Sequence, residues 1–302
     1  MDQADKLRNL VNRNKNVVQR ATEVIIPPPQ RQMTMRIIAV ASGKGGVGKT
    51  SISTNLAIHL TRAGKRVIVI DADFGLANVE LMLGVTPRYS FHDVLSGAVT
   101  VEEALTTGPE GVKFLSGGSG LTALSNVSES QMSVLLDGFI QLDSMTDILL
   151  IDTGAGISKT VTNFLKASDE TVIVTTGDPT AITDAYVLIK TIAEGQDPGQ
   201  LSLKIIVNKV ETLAEGKDVF QRLHRVCTKF LGVNPLHLGS IPYDKYLVRA
   251  VKAQEPVSML YPKSDSNRAI EEVTRRVLKY TPMRETTGVW QFVDRWMGFM
   301  RQ

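Results

Sequence analysis

Cysteine is nearly absent from this chain, since Cys227 is the only one among 302 residues. A single thiol excludes an internal disulfide framework and a metal or iron–sulfur site built on Cys-x-x-Cys, and it is typical of a reducing compartment. Long apolar runs are absent as well, so we expect no membrane-spanning helix, and the polar N-terminal region does not resemble a signal peptide. The net charge of only +3 argues against nucleic acid as a partner. These features predict a cytoplasmic protein.

The most informative feature that is present is a phosphate-binding loop at residues 43–50. Its sequence fits the pattern G-x-x-x-x-G-K-[ST], and it lies between a predicted buried strand, Met35–Ala41, and a predicted helix, Ser51–Ala63. Glycines let the backbone wrap around an anion, and the helix N-terminus adds a positive dipole. The lysine and threonine that end the pattern are placed to reach the terminal phosphates and Mg²⁺. The predicted nucleotide-binding residues of the loop are Gly43, Lys44, Gly45, Gly46, Val47, Gly48, Lys49, Thr50 and Ser51.

The same glycines also fit a second pattern, the dinucleotide-binding fingerprint G-x-G-x-x-G. Asp71, at the end of the next predicted strand, has the spacing of a ribose-binding carboxylate, so spacing alone does not exclude this alternative. A dinucleotide loop, however, has no use for Lys49 and Thr50 directly after its third glycine. That pair and the acidic motifs that follow in the chain favour a nucleoside triphosphate.

Carboxylates follow two of the predicted strands, where the ligand crevice of an open α/β sheet lies. Asp71 and Asp73 end the first of these strands; one carboxylate can orient or deprotonate a water, and the other can hold metal-bound waters. Asp152 ends an aliphatic run and precedes a glycine-rich turn. In this Walker B arrangement it contacts Mg²⁺ through water or braces Thr50. The predicted metal site therefore consists of Thr50, Asp71 and Asp152.

The order of the remaining elements predicts the fold. Continuous aliphatic runs alternate with helical patterns, as expected for parallel strands that helices cover on both faces. We predict an α/β protein with a P-loop NTPase fold, in which helices flank a mainly parallel, doubly wound sheet. The predicted strands are Met35–Ala41, Arg66–Asp71, Asp147–Ile151, Thr171–Thr175, Leu203–Val207 and Leu236–Ile241, and the predicted crossover helices include Ala181–Glu194 and Gly216–Leu231.

Residues at the ends of the last two predicted strands are candidates for recognition of a base. The side-chain amide of Asn208 can read a base edge, with an ordinary turn role as the alternative. Backbone groups around Pro242 can flank a base. We therefore predict that Asn208 and Pro242 also belong to the nucleotide site.

Both ends of the chain carry segments outside the main domain. The predicted boundaries are a basic helix at 1–24, a proline-rich linker at 25–34, the nucleotide-binding α/β domain at 35–282 and a helix at 283–302. The last segment is amphipathic, and its aromatic side chains suit the headgroup region of a bilayer. The alternative is a terminal helix docked on the domain's own core. The predicted membrane-binding residues are Trp290, Phe292, Val293, Trp296, Met297, Phe299 and Met300.

Four motifs together resemble the MinD/ParA group of deviant Walker A ATPases, over a stretch from about Met35 to Tyr280. They are the phosphate loop with its extra lysine and the segments Asp71–Asn78, Asp152–Gly156 and Ile241–Asp244. The resemblance implies ATP and Mg²⁺ as cofactors, and an ATP-dependent, face-to-face homodimer in which hydrolysis is slow and dimer-dependent.

The resemblance also implies roles for single residues. Lys44 would reach across to the partner's phosphates, Lys49 would contact the phosphates of its own subunit, and Asp73 would orient the attacking water. These three are the predicted catalytic residues. Thr50 would hold Mg²⁺ with help from Asp152, and Asn208 would lie at the adenine. A lysine from each subunit adds positive charge where negative charge builds in the transition state, so hydrolysis would await dimerisation.

The first residues of the chain narrow the resemblance. Asp2, Gln3, Ala4, Leu7 and Arg8 form a motif similar to the N-terminus of the flagellar MinD-like ATPases of the FlhG family. In that family the segment engages and stimulates FlhF, a signal-recognition-type GTPase. The resemblance implies a switch that cycles between the cytoplasm and the lipids of the inner membrane and regulates flagellar number or placement. Flagellar C-ring proteins and a flagellar transcription regulator are further expected partners.

Three alternatives stay open. A MinD-type division-site or cargo-positioning ATPase would share the C-terminal helix but would not need the N-terminal motif. A ParA-type partition ATPase would carry a strongly basic surface patch for DNA in place of the aromatic tail. A scaffold that binds ATP without hydrolysing it would have no need of Asp73.

Overall fold

The structure is a computed structural model, and it describes residues 35–73, 78–118, 129–280 and 288–300. Within these residues eight strands form one sheet. The strands are β1 (Arg36–Ser42), β2 (Val67–Ala72), β3 (Thr106–Thr107), β4 (Lys113–Leu115), β5 (Ile148–Ala155), β6 (Glu170–Thr176), β7 (Leu203–Val210) and β8 (Leu236–Pro242).

The strand order is β3-β4-β2-β5-β1-β6-β7-β8, and every neighbouring pair is parallel except β3 and β4. The six strands that the aliphatic runs predict are present, because helices cover both faces of the sheet and bury consecutive side chains. β3 and β4 were not predicted, since two and three residues are too short to show a period. The predicted fold, a mainly parallel sheet flanked by helices, is confirmed.

The described helices are α1 (Lys49–Arg62), α2 (Asn78–Leu83), α3 (Phe91–Leu95), α4 (Val101–Ala104), α5 (Glu129–Met145), α6 (Lys159–Ala167), α7 (Pro179–Ala193), α8 (Leu213–Leu231), α9 (Lys245–Ala253), α10 (Val257–Leu260), α11 (Asp265–Lys279) and α12 (Gly288–Met300). α1 packs against α2, α10 and α11, α7 packs against α6 and α8, and α5 packs against α3, α4 and α12. No described helix is both long and apolar enough to cross a membrane.

The strand order decides which side chains meet at the carboxyl edge of the sheet. β1 lies between β5 and β6, so the phosphate loop that follows β1 is flanked by the ends of both. The register pairs Val40 of β1 and Asp71 of β2 with Asp152 of β5. Residues far apart in the chain therefore converge beside the loop, as expected for ligand sites in open α/β sheets.

The C-terminal helix α12 is packed against the domain and does not stand apart from it. Val289, Phe292, Val293 and Trp296 are at most 1% exposed, and α12 contacts α5 and α6. The Trp296 ring stacks on Phe164 of α6, with ring centroids 5.1 Å apart. Of the side chains that we predicted for membrane binding, Phe292, Val293 and Trp296 are therefore buried in this conformation, and the two aromatic ones pack against aromatic side chains of α5 and α6.

Candidate nucleotide-binding site

The phosphate loop turns sharply between β1 and α1. Gly46 and Gly48 have φ angles of 78° and 94°, in the left-handed region that favours glycine. A Cβ atom at Gly48 would lie 2.4 Å from Nδ2 of Asn208, so only glycine fits there. Gly43 is needed for a different reason, because a Cβ there would lie 2.3 Å from the backbone carbonyl of Asp184 in α7. The loop is thus shaped by close contacts with two neighbouring elements.

A cleft of about 730 Å³ opens above this loop. The predicted residues Gly45–Ser51, Asp73, Asn208 and Pro242 line it. Gly43 and Lys44 do not, although both were predicted at the nucleotide. Apolar and aromatic side chains that were not predicted also line it: Met82, Tyr243, Leu247, Val248 and Val251. A cleft that combines a phosphate loop with an apolar lining suits both the phosphates and the base of a nucleotide.

Lys49, Thr50 and Asp152 meet at the N-terminus of α1. The Nζ atom of Lys49 lies 3.1 Å from Oδ2 of Asp152, and the Thr50 hydroxyl donates to the same oxygen at 2.7 Å. Ser53, which was not predicted, donates to Oδ1 of Asp152 at 2.7 Å. Asp152 is fully buried, so it braces the threonine hydroxyl and the lysine ammonium from below. Ser53 lies one helical turn after these residues, and that spacing places it on the same face.

Asp71 and Asp73 have separate roles in the geometry. Both carboxylate oxygens of Asp71 accept backbone N–H groups, from Asp73 at 3.1 Å and from Val79 at 3.0 Å. Burial raises the pKa of Asp71 to about 7, the neighbouring Asp152 charge adds to the rise, and the two N–H groups oppose it. Asp71 therefore anchors both sides of segment 74–77, which lies outside the described residues. Its predicted metal role stays a prediction.

Asp73 lines the cleft next to the end of β5. The Asn78 amide donates to Oδ2 of Asp73 at 3.2 Å. A Cβ on Gly154 would lie 3.5 Å from Oδ1 of the same carboxylate, so Asp73 lies beside the last residues of β5. This location is compatible with the predicted role of orienting a water, and Asn78 is a positioning residue that the sequence analysis did not single out.

Lys44 points away from the cleft, toward the N-terminus of α7. Its Nζ atom donates to Oδ2 of Asp178 at 3.0 Å and to the Thr180 hydroxyl at 2.7 Å. The Lys44 ammonium, together with the backbone and hydroxyl of Thr180, lowers the pKa of Asp178. Both partners of this ion pair are more than a third exposed, so the pair adds little stability and can exchange partners. The two loop lysines thus face different environments, which is what distinct roles require.

Asn208, near the end of β7, contacts the phosphate loop. Its Nδ2 donates to the Val47 carbonyl at 2.7 Å, while its buried Oδ1 has no hydrogen-bond partner among the described residues. A buried acceptor without a partner is costly, so it favours a bound donor. An exocyclic amine of a base is a donor of this kind, and Asn208 therefore fits the predicted base position. Pro242 also lines the cleft.

The predicted partner residues at the N-terminus, Asp2, Gln3, Ala4, Leu7 and Arg8, lie outside the described residues. In α12 the structure describes Phe292, Val293 and Trp296 as buried and Phe299 as partly exposed, with Nζ of Lys166 5.9 Å from its ring centroid. The side chains of Trp290, Met297 and Met300 lie outside the description as well.

Comparison with known proteins agrees with this geometry. Residues 38–257 match the family described as CobQ/CobB/MinD/ParA nucleotide binding domain. The chain is 38% identical to the antiactivator FleN of Pseudomonas aeruginosa over 243 residues, which cover 80% of this chain and 86% of FleN. It is 37% identical to the flagellum site-determining protein YlxH of Helicobacter pylori over 242 residues, which cover 79% of this chain and 80% of YlxH.

A solved structure shares the fold. The septum site-determining protein MinD of Pyrococcus horikoshii, determined as a complex with Mg-ADP, superposes with a TM-score of 0.66 at 25% identity. The match covers 80% of this chain and 96% of that chain. The phosphate loop and both acidic motifs fall inside the region that the family match covers.

Proposed function

Because the chain belongs to the CobQ/CobB/MinD/ParA family of nucleotide-binding domains, we propose that it is an ATP-dependent switch ATPase that regulates flagellar number or placement. One observation carries the switch mechanism: Lys49 and Asp73 line one cleft, whereas the second loop lysine, Lys44, points out of it. The flagellar role is supported by the similarity to YlxH, a flagellum site-determining protein, and to FleN.

ATP with Mg²⁺ is the ligand that the residues of the cleft fit. The Thr50 hydroxyl and the Asp152 carboxylate are oxygen ligands of the kind that Mg²⁺ accepts, directly or through water, alongside phosphate oxygens. Mg²⁺ would supply charge neutralisation at the phosphates. In this structure the Lys49 ammonium forms an ion pair with Asp152, and a phosphate bound at the loop would be its second anionic partner. The unpartnered Oδ1 of Asn208 would accept a base amine.

Dimerisation is the second part of the proposal. Lys44 is held by an exposed ion pair with Asp178 and a hydrogen bond to the Thr180 hydroxyl, so a phosphate of higher charge on a facing subunit can replace these partners. A homodimer formed around two nucleotides would bring each Lys44 to the other subunit's site. Hydrolysis would then follow assembly, because the added ammonium stabilises charge that develops in the transition state.

The docked helix α12 could couple nucleotide binding to membrane binding. α6 begins at Lys159, directly after the glycine-containing turn that follows Asp152, and its Phe164 stacks on Trp296. A shift of that turn on nucleotide binding would move α6 beneath α12 and weaken the stacked contact. We infer that release of α12 presents its apolar face to inner-membrane lipids, and that two helices per dimer bind far better than one.

The first prediction tests this release through tryptophan fluorescence. The chain has two tryptophans, Trp290 and Trp296, and both lie in α12, so emission reports on this helix alone. In a Trp290→Phe variant, ATP and Mg²⁺ should shift Trp296 emission to longer wavelength, because a fully buried indole becomes solvated. The measurement is best made with Asp73→Ala also present, which we expect to stop hydrolysis. Lys44→Ala in place of Asp73→Ala should abolish the shift.

Liposome sedimentation measures membrane binding directly and allows a matched pair of variants to be compared. Deleting α12 would uncover Phe139 and Phe164, so single substitutions are preferable. Phe299→Glu adds a charge to the apolar face at a partly exposed position and should lower binding to phosphatidylglycerol vesicles about tenfold. Gln291→Glu adds the same charge on the exposed face and should bind as the wild type does. Equal binding by both variants, or no emission shift with ATP, would contradict the membrane proposal.

The N-terminal segment is proposed to act on a partner GTPase. Residues 1–20 precede a proline-rich linker and carry the motif that resembles the FlhF-stimulating segment. An isolated helix of this length is marginal in water, so the segment would become helical on binding. The partner would be a signal-recognition-type GTPase.

The second prediction is that a peptide of residues 1–20 raises GTP hydrolysis by a flagellar signal-recognition-type GTPase. Gln3→Ala should remove more of the stimulation than Lys15→Ala, because a side-chain amide near a nucleotide can help to place water, whereas a distal lysine adds only general attraction. Single-turnover GTPase assays with the two matched peptides measure the difference. A peptide without effect, or two equivalent variants, would favour a MinD-type positioning ATPase, the second candidate function, which the MinD fold similarity also supports.

A further inference from the structure

The end of β7 departs from regular strand geometry at Lys209. Its φ angle is 57°, in the left-handed region that side chains other than glycine, asparagine and aspartate rarely adopt. The pairing register between β7 and β8 shifts at this point, between Asn208 and Val210. Strained residues of this kind persist where the surrounding structure holds them, and they cluster at functional sites.

The consequence of this irregularity is that two consecutive side chains reach the phosphate loop. In a regular strand Asn208 and Lys209 would point to opposite faces of the sheet. Here the Asn208 amide donates to the Val47 carbonyl and the Lys209 ammonium donates to the Gly46 carbonyl, both at 2.7 Å. A bulge redirects a side chain in this way. The end of β7 therefore grips two consecutive carbonyls of the loop.

Fixing these carbonyls also fixes the amides that follow them. The peptide unit is planar and trans, so its N–H points opposite to its C=O. With the carbonyls of Gly46 and Val47 turned toward β7, the N–H groups of Val47 and Gly48 are directed away from it. Consecutive N–H groups of a glycine-rich loop are the groups that hold a phosphate.

We propose that Lys209 is a positioning residue for nucleotide binding, which acts by holding the Gly46 carbonyl and thereby preorganising the phosphate loop. In this structure Lys49 contacts Asp152 and Lys44 contacts Asp178, whereas the hydrogen bond to the Gly46 carbonyl comes from Lys209. The inference rests on the proposed nucleotide binding at the loop. In this role Lys209 contacts the Gly46 carbonyl and not the γ-phosphate, so its loss should affect ADP and ATP alike.

Calorimetric titration of ADP and ATP into matched variants of the full chain tests the proposal. Lys209→Met keeps the length and the strained backbone but lacks the donor. It should weaken ADP and ATP binding by the same factor, about fivefold, since the loop amides hold the phosphates that both nucleotides share. Lys209→Arg retains the charge and the donor and should restore most of the affinity. For ATP turnover, KM should rise in Lys209→Met while kcat stays within about twofold.

Lys209→Gly separates the positioning role from a contribution to folding. Glycine relieves the left-handed backbone, so the melting temperature should not fall, yet binding should be as weak as in Lys209→Met. Unchanged affinity in Lys209→Met would overturn the proposal, and so would a loss confined to ATP, which would indicate a direct γ-phosphate contact. Restored affinity in Lys209→Gly would also overturn it. Failure of the wild type to bind either nucleotide would instead refute the proposed function itself.

Discussion

Replacement of Lys49 by alanine is expected to weaken ATP binding about 100-fold, through loss of roughly 3 kcal/mol of charged hydrogen bonding to phosphate. Lys49 lines the cleft, is only 7% exposed, and lies 3.1 Å from Asp152. A buried ammonium interacts strongly with a phosphate because little water screens it. Removing it also leaves the buried Asp152 carboxylate without its cation, so some loss of thermal stability should accompany the loss of affinity. Isothermal titration with ATP and Mg²⁺, with a melting curve for each variant, measures both.

Lys44→Ala is the matched control for this experiment. It removes a lysine from the same loop, but one that contacts Asp178 and Thr180 outside the cleft. We expect the affinity of the Lys44→Ala monomer for ATP to stay within about threefold of the wild type, because the exposed pair that it breaks is weak. ATP-dependent dimerisation, followed by size-exclusion chromatography, should be lost. Equal losses of affinity in both variants would show that the two lysines serve the same subunit and would refute the trans role of Lys44.

Asp73→Ala is expected to lower ATP turnover at least about 100-fold and to leave a persistent dimer in ATP. The carboxylate lines the cleft beside Gly154 and lies outside the loop that we expect to hold the phosphates. Losing a group that orients water therefore stalls hydrolysis without removing phosphate contacts. Phosphate release and size-exclusion chromatography with ATP and Mg²⁺ give the two readouts.

Asn78→Ala provides a graded comparison. The Asn78 amide donates to Asp73 at 3.2 Å, so its loss should loosen the carboxylate and lower turnover by about three- to tenfold. Nucleotide affinity should change little in both variants. If Asp73→Ala binds ATP with unchanged affinity and stays monomeric, the dimer switch is wrong, whatever the turnover.

The sequence predicted the fold well because long parallel strands carry a strong local signal. β1, β5 and β7 each contain a run of at least three consecutive aliphatic residues, and each begins within one residue of its predicted start. β3 is two residues long and contributes no period, so only its pairing with β4 identifies it. The apolar pattern of α12 was also correct, but a pattern cannot distinguish a lipid surface from the aromatic side chains of a neighbouring helix.

The site divides in the same way. Lys49, Thr50 and Asp152 belong to motifs in which each residue type has a known chemical role. The sequence was therefore sufficient to predict that these three residues share one site. Ser53 belongs to no motif, and Asn78 ends a motif that gave it no role of its own. Their part in holding Asp152 and Asp73 depends on contacts between different elements. Burial, together with the nearby Asp152 carboxylate, raises the pKa of Asp71. The two carboxylates are neighbours because the register of β2 and β5 pairs Asp71 with Asp152.

By itself, the sequence determined the phosphate loop, the two acidic strand ends and the α/β class, since each follows from local residue order and spacing. The tertiary structure alone decided what those local elements face. It turned Lys44 onto Asp178, packed Trp296 against Phe164, and bent β7 so that Lys209 grips the loop. The physical reason is that hydrogen bonds, burial and ion pairs depend on which surfaces meet after folding, and residues more than a hundred positions apart provide those surfaces.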